Sequence, residues 1–173
     1  MLNTLMPRTI RRIREDGLVA LIDRFGRVLG DGVPGREREW ATAVEKALTC
    51  LKRALRQHLA AARVPDGVFA EVDDTRPTLA RQAEEVCQTY DTLLKQSSAL
   101  LRKTRRATEA FSSNPDPIGT AAPCTGRNGT AGVVDFGVIR QQGEKLLASL
   151  RQNKDAETQL ILESINTDIG VGD

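Results

Sequence analysis

Few side chains in this 173-residue chain have the chemistry of a metal-binding or catalytic site. The chain contains one histidine, His58, and a helical geometry of about 100° per residue places it on the apolar face of its segment. The same geometry places Tyr90, Asn153 and Glu157 on or beside the apolar faces of two later segments. Imidazole, phenolate and carboxylate groups bind iron or zinc, and an amide or a water molecule can complete the shell. These four residues are therefore the candidate metal ligands.

Glu157 needs partners more than the other candidates, because burying a carboxylate is unfavourable unless it is paired or hydrogen-bonded. Tyr90 lies about 21 residues before the end of its segment near Phe111, and Glu157 lies about 21 residues after the start of the next segment near Phe136. In antiparallel neighbouring helices these two positions are at the same level. The possible partners of Glu157 are His58, Tyr90, Arg14 and Lys154. A structural polar cluster and a metal site are both consistent with this placement.

Four segments with apolar residues at three- and four-residue spacing predict the amphipathic helices that would position these residues. They cover residues 8–29, 36–63, 77–111 and 135–166. Since no segment shows the pattern of a strand, we predict an all-α fold, an up-and-down four-helix bundle forming a single domain over residues 1–173. With only 3% aromatic residues, its core would consist mainly of Leu, Ile, Val and Ala. Residues 112–134, rich in Gly, Pro, Ser and Thr, would form a long flexible loop between the third and fourth helices.

Composition narrows the classes of function. The formal net charge is only +2 and aromatic residues are absent near the basic runs at residues 8–14 and 102–106, so nucleic-acid binding is not favoured. No stretch reaches the roughly 20 apolar residues of a membrane span, and the N-terminal sequence does not have the pattern of a signal peptide. The odd number of widely spaced cysteines indicates a reducing, cytoplasmic environment. The sequence contains no Gly-rich phosphate loop, no H-E-x-x-H motif and no nucleophile with an evident base, which favours a protein that is not an enzyme.

Two regions resemble the hemerythrin-like, cation-binding four-helix bundles. The first reads ALRQHLAAARVPDGVFAEV followed by PTLARQAEEVCQTYDTLLKQSSALL, and the second reads SLRQNKDAETQLILESI. In that family a His followed four residues later by a Glu precedes a long helix with another His, and the last helix has a His followed by an acidic residue. The resemblance covers most of residues 40–111 and 140–168. It implies a helical bundle that binds iron and takes part in oxygen, iron or nitric oxide handling.

Most of the family's ligand positions hold other residues in this chain. His58 stands at the second-helix His, but the Glu expected four residues later is Ala62. Tyr90 stands at the third-helix His, and Asn153 at the His of the last helix, where Glu157 retains the acidic residue. A di-iron site needs several His and bridging carboxylates.

We therefore expect a degenerate, non-catalytic member of this family that has no bound cofactor. It would act as a structural or protein-binding module, through a protein partner or through self-association. A buried polar cluster of His58, Tyr90 and Glu157 would replace the metal site. The alternative is a metal-binding member of the family that holds iron or zinc with His58, Tyr90, Glu157 and Asn153.

Overall fold

The computed structural model of this chain is all-α and contains four helices. These are α1 (Met6–Gly30), α2 (Glu37–Ala62), α3 (Pro77–Ser112) and α4 (Phe136–Asp168). It describes the backbone of residues 6–32, 34–64, 69, 77–112 and 136–168, and the side chains of residues 17–32, 34–64, 69, 77–110 and 136–164. Over these ranges there is no strand. The helices predicted from apolar spacing agree with the observed ones to within two residues at every end.

The helices pack as a closed cycle of neighbours. Each helix packs against the next one in the sequence, and α1 also packs against α4. Helices α2 and α3 run antiparallel, because Glu45 near the start of α2 pairs with Arg105 of α3, and Arg63 just after α2 pairs with Asp91. The predicted up-and-down four-helix bundle is therefore confirmed. The predicted single domain over residues 1–173 also includes segments outside the described ranges and stays a prediction.

The core is mainly aliphatic, and leucine contributes more of its fully buried side chains than any other residue type. Six polar residues are also buried, namely His58, Ser97, Thr104, Asn153, Glu157 and Ser164. The hydroxyl groups of Ser97, Thr104 and Ser164 donate to carbonyl groups three or four residues earlier in their own helices. These hydroxyls therefore need no partner from another helix, which leaves His58, Asn153 and Glu157 of these six, together with the buried hydroxyl of Tyr90, as the groups that do.

Trp40 closes one end of the bundle. Its indole Nε1 donates to the carbonyl oxygen of Val28 at 3.0 Å. This carbonyl belongs to the last four residues of α1, which have no partner within their own helix. The guanidinium group of Arg140 lies over the Trp40 ring at 5.4 Å from its centroid, and the ring of Phe136 meets it edge-on at 6.1 Å. The single tryptophan thus joins the end of α1 to the starts of α2 and α4.

Two further predictions concern the connection between α3 and α4 and the absence of a membrane span. The predicted flexible loop at residues 112–134 lies outside the described residues, except for the backbone of Ser112. Over the part of the chain that the structure describes, none of the helices has an apolar stretch long enough to cross a membrane.

Candidate functional site

The buried polar residues of three helices meet at the carboxylate of Glu157. This side chain is fully buried, at 0% exposure, on the inward face of α4. Leu150 and Leu160 lie on the same face, because residues three, four and seven positions apart in a helix point in similar directions. The apolar spacing of α4 therefore forces the Glu157 carboxylate into the centre of the bundle, as predicted.

Three groups of the protein donate to this carboxylate. The Nε2 atom of His58 in α2 lies 2.9 Å from Oε2 of Glu157, and the hydroxyl of Tyr90 in α3 lies 2.5 Å from the same oxygen. The ammonium group of Lys154, one turn earlier in α4, lies 3.0 Å from the other oxygen, Oε1. We call His58, Tyr90, Lys154 and Glu157 the Glu157 network. Every buried side-chain polar atom of the described residues has a hydrogen-bond partner, so the network is fully satisfied.

The network stabilises a charged carboxylate in the core. Burial on its own raises the pKa of Glu157, because it removes water from the charged form. The hydrogen bond and the charge of His58, the charge of Lys154 and the hydrogen bond from Tyr90 act in the opposite direction. Together they hold the pKa of Glu157 below its ordinary value. Glu157 is therefore ionised at neutral pH.

Tyr90 acts in this network as a neutral hydrogen-bond donor. Burial strongly raises the pKa of its hydroxyl, and the charge and hydrogen bond of Glu157 raise this pKa further. The ring of Tyr90 also packs edge to face with the ring of His58, with 5.0 Å between the centroids. This contact holds both rings next to the carboxylate. Because its pKa is raised, the phenol keeps its proton and donates a hydrogen bond to Glu157.

Asn153 borders the network without contacting the carboxylate. Its nearby amide partly offsets the rise in the pKa of the Tyr90 hydroxyl, and its Nδ2 lies 3.4 Å from the carbonyl oxygen of Val86. The structure thus brings together three of the four candidate ligands, His58, Tyr90 and Glu157, and directs Asn153 toward α3. Lys154 is the cation that neutralises Glu157. The side chain of Arg14, the other cation considered, lies outside the described residues.

These donors do not fit a metal centre. Within the described ranges, no group of three His, Cys, Asp or Glu side chains could hold a metal ion. One oxygen of Glu157 already bonds the ammonium group of Lys154. Tyr90 would have to lose a proton whose pKa is strongly raised before it could act as a phenolate ligand.

A groove between α3 and α4 runs beside the network. It has a volume of about 560 Å³, and its floor includes Val86, Asn153 and Leu160. Glutamine side chains, including Gln82 and Gln159, form part of its edge. None of the four residues of the Glu157 network lines this groove, so Asn153 separates the carboxylate from it. Apolar spacing predicted no such groove, because the gap depends on how two helices pack.

Comparison with protein-family models, with curated proteins and with solved structures gave no significant match to this chain. Over the described residues, the structure defines an all-α four-helix bundle whose core contains one buried carboxylate, that of Glu157, and its partners. The hemerythrin-like resemblance stays a prediction from the residues quoted above.

Proposed function

We propose that this chain is a non-catalytic, hemerythrin-like helical bundle that acts as a structural or protein-binding module. In this proposal the Glu157 network replaces the metal site of that family. The observation that supports it most directly is the ammonium group of Lys154, which lies 3.0 Å from the buried carboxylate and neutralises it. The spacing of the cysteines favours a cytoplasmic location for such a module.

The charge balance of the network supports a metal-free core. A buried carboxylate needs a cation and several hydrogen bonds to offset the loss of water. Here Lys154 supplies the cation, and His58 and Tyr90 supply hydrogen bonds to the other carboxylate oxygen. All the requirements of the carboxylate are met by the chain itself, and it does not need an external ion.

The burial of the network argues against catalysis. The side chains of His58, Glu157 and Lys154 are 5%, 0% and 13% exposed, and none of them lines the groove between α3 and α4. A general base or nucleophile must come within hydrogen-bond reach of a substrate. The only histidine of the chain is therefore enclosed, and what the bundle offers to other molecules is its surface.

The network has a clear structural role in such a module. It links α2, α3 and α4 at a single level of the bundle, and its partners lie far apart in the sequence. A satisfied buried polar network can specify one register of helices, because any slip leaves its groups unpaired. A bundle with a unique register presents a fixed surface to a partner.

Metal analysis of the purified chain tests this proposal. Elemental analysis and an ultraviolet–visible spectrum are recorded before and after aerobic loading with ferrous iron, and again after loading with zinc. We expect a colourless protein with far less than one metal ion per chain. The variants His58→Ala and Glu157→Ala are compared with Glu144→Gln, an exposed site on α4, and circular dichroism checks that all three fold.

Stoichiometric iron or zinc would overturn the proposal if it is lost in His58→Ala and Glu157→Ala but kept in Glu144→Gln. That result would support the alternative, an iron- or zinc-binding protein with His58, Tyr90, Glu157 and Asn153 as ligands.

A further inference from the structure

Two stretches that pack against each other in α2 and α3 contain basic residues and no acidic ones. Residues 46–63 contain Lys46, Lys52, Arg53, Arg56 and Arg63, and residues 92–108 contain Lys95, Arg102, Lys103, Arg105 and Arg106. Because the formal net charge of the whole chain is only +2, the remaining residues are net negative. The positive charge of this chain is therefore concentrated in these two stretches.

The ion pairs of Glu45 with Arg105 and of Arg63 with Asp91 set the antiparallel register in which four of these cations lie close together along the line where α2 and α3 meet. Burial lowers the pKa of Lys52, and the nearby charges of Arg56, Arg105 and Arg102 lower it further. We call Lys52, Arg56, Arg102 and Arg105 the basic seam. Lys52 is partly buried, and the other three side chains are exposed. Such mutual repulsion is unfavourable in the isolated protein, so the seam is not arranged for stability.

At each end of this line, a carboxylate of the chain itself pairs with an arginine. Glu45 accepts a hydrogen bond from Nε of Arg105 at 2.9 Å, and Asp91 pairs with Arg63. Between these two ion pairs lie Lys52, Arg56 and Arg102. The cations in the middle of the seam therefore lie between two ion pairs, but residues 46–63 and 92–108 supply no acidic residue to pair with them.

We propose that the basic seam docks an acidic, Asp/Glu-rich segment of a protein partner. This inference rests on the proposed function and names the partner's chemistry. Carboxylates of the partner would extend the row that Glu45 and Asp91 begin, since arginine binds carboxylates in a bidentate manner. Lys52 and Arg56 are one helical turn apart, so a helix with acidic residues four positions apart matches their spacing.

Surface composition favours a protein segment over a membrane or a nucleic acid. The large hydrophobic residues that are exposed in the described ranges are Val19, Val64, Val138 and Leu162, and none belongs to the seam. Insertion into a lipid surface requires such residues beside the cations. No aromatic side chain lies within residues 92–108, so the seam offers no platform for stacked bases. The net negative remainder of the chain would also repel a long phosphate backbone that extends beyond the seam.

Fluorescence anisotropy with labelled probes tests the proposal on the full chain. The main probe is a peptide built from alanine with glutamates four positions apart. Its length is about 15 residues, because shorter isolated peptides form little helix in water. Its glutamine counterpart, a DNA duplex of similar length and vesicles containing phosphatidylserine are measured in parallel. The seam variant is Lys52→Gln/Arg56→Gln/Arg102→Gln. The matched control is Arg24→Gln/Arg27→Gln/Lys145→Gln, which removes the same charge from exposed sites on α1 and α4.

We expect the wild-type chain to bind the glutamate peptide in preference to the other three probes, with an affinity that falls as salt increases. The seam variant should bind the peptide about tenfold more weakly, because three surface charge pairs are each weak but add together. The control variant should change by less than about twofold, as remote charges are screened.

Three results would overturn the proposal. The first is no binding of the glutamate peptide to the wild-type chain, and the second is an equal loss of binding in the seam and control variants. The third is tighter binding of the duplex or of the vesicles, which would assign the seam to a nucleic acid or to a membrane surface. Metal content is measured on the same preparation. A metal-loaded chain that binds the peptide would refute the proposed function alone, and a metal-free chain that does not bind would refute the seam alone.

Discussion

Removing the charge of Glu157 and removing one of its partners should affect stability in different ways. Glu157→Gln keeps the size of the side chain and leaves Tyr90 with an acceptor, while it relieves the desolvation of a fully buried charge. The side chain of Lys154 is 13% exposed, so its ammonium group can turn toward water once the carboxylate charge is removed, and little charge is left unpaired in the core. We therefore expect the free energy of unfolding of Glu157→Gln to lie within about 1 kcal/mol of wild type.

His58→Ala should be much more damaging. It removes the imidazole that bonds the same oxygen of Glu157 as the Tyr90 hydroxyl, and it opens a cavity beside the Tyr90 ring. Lys154 and Tyr90 still bind the carboxylate, but losing a hydrogen bond to a buried charge and truncating a buried side chain together typically cost about 3–5 kcal/mol. In the Glu157→Gln background there is no buried carboxylate that needs the His58 hydrogen bond. The same His58→Ala change should then cost about 2 kcal/mol less, which is the coupling between the two sites.

Urea denaturation at pH 7, followed by far-ultraviolet circular dichroism, measures all four members of this double-mutant cycle. Glu144→Gln, at an exposed position of the same helix, is the control for a change of charge and should stay within about 0.5 kcal/mol of wild type. Changes that add to within about 0.5 kcal/mol would show that the two sites are not coupled. Neutral effects of both single substitutions would refute the description of Glu157 as a buried charge that depends on His58.

Three further predictions follow from individual contacts. The pKa of Glu157 in the folded protein is held below its ordinary value of about 4.3. The stabilisation by the network is therefore fully present above pH 4.3 and is lost as the pH falls through the lower pKa of the folded state. Acid titrations should show a steeper loss of stability for wild type than for Glu157→Gln. Gly143→Ala should destabilise the protein by about 1–3 kcal/mol, because a Cβ there would lie 2.6 Å from Leu29 Cδ2 in the core. Gly17→Ala should instead stabilise it by about 0.5–1 kcal/mol, because a Cβ at that position would have nothing within 4 Å. Thermal melts of the two variants test this pair of predictions. Trp40→Phe should lower stability by about 1–3 kcal/mol, since it leaves a carbonyl group at the end of α1 without its indole donor, and urea denaturation that shows no change would contradict this capping role.

The helices and the level of the network could be predicted from the sequence because both follow from local geometry. Apolar residues at three- and four-residue spacing determine which face of each helix is buried, and a rise of about 1.5 Å per residue determines depth. These two rules were enough to place Tyr90 and Glu157 at one level, and their oxygen atoms lie 2.5 Å apart. Helical geometry also put His58 on a buried face, although the irregular connection after α2 left its depth open.

Contacts that depend on the packing of particular helices could not be predicted in the same way. Asn153 lies at the edge of its helix's apolar face, where a small rotation decides whether it reaches Glu157 or the carbonyl of Val86. The indole of Trp40 reaches the end of α1 across a turn whose geometry no periodic pattern specifies. The basic seam combines residues of α2 with residues about 50 positions later. Of these residues, the sequence pattern singles out only those in the basic run at 102–106 of α3.

The Glu157 network and the basic seam depend on the same register of α2 and α3. His58 and Tyr90 fix that register inside the bundle, and the Glu45–Arg105 pair lies on its surface. A slip of one turn would move α2 by about 5.4 Å, which would separate His58 from the carboxylate and dissolve the row of cations at the same time. Because replacing a whole buried ion pair by apolar groups of similar volume often costs little stability, we infer that the network contributes mainly to the specificity of packing. It excludes the slipped arrangements that an aliphatic core of similar leucines would tolerate, and so it holds the cations of the surface at a constant spacing.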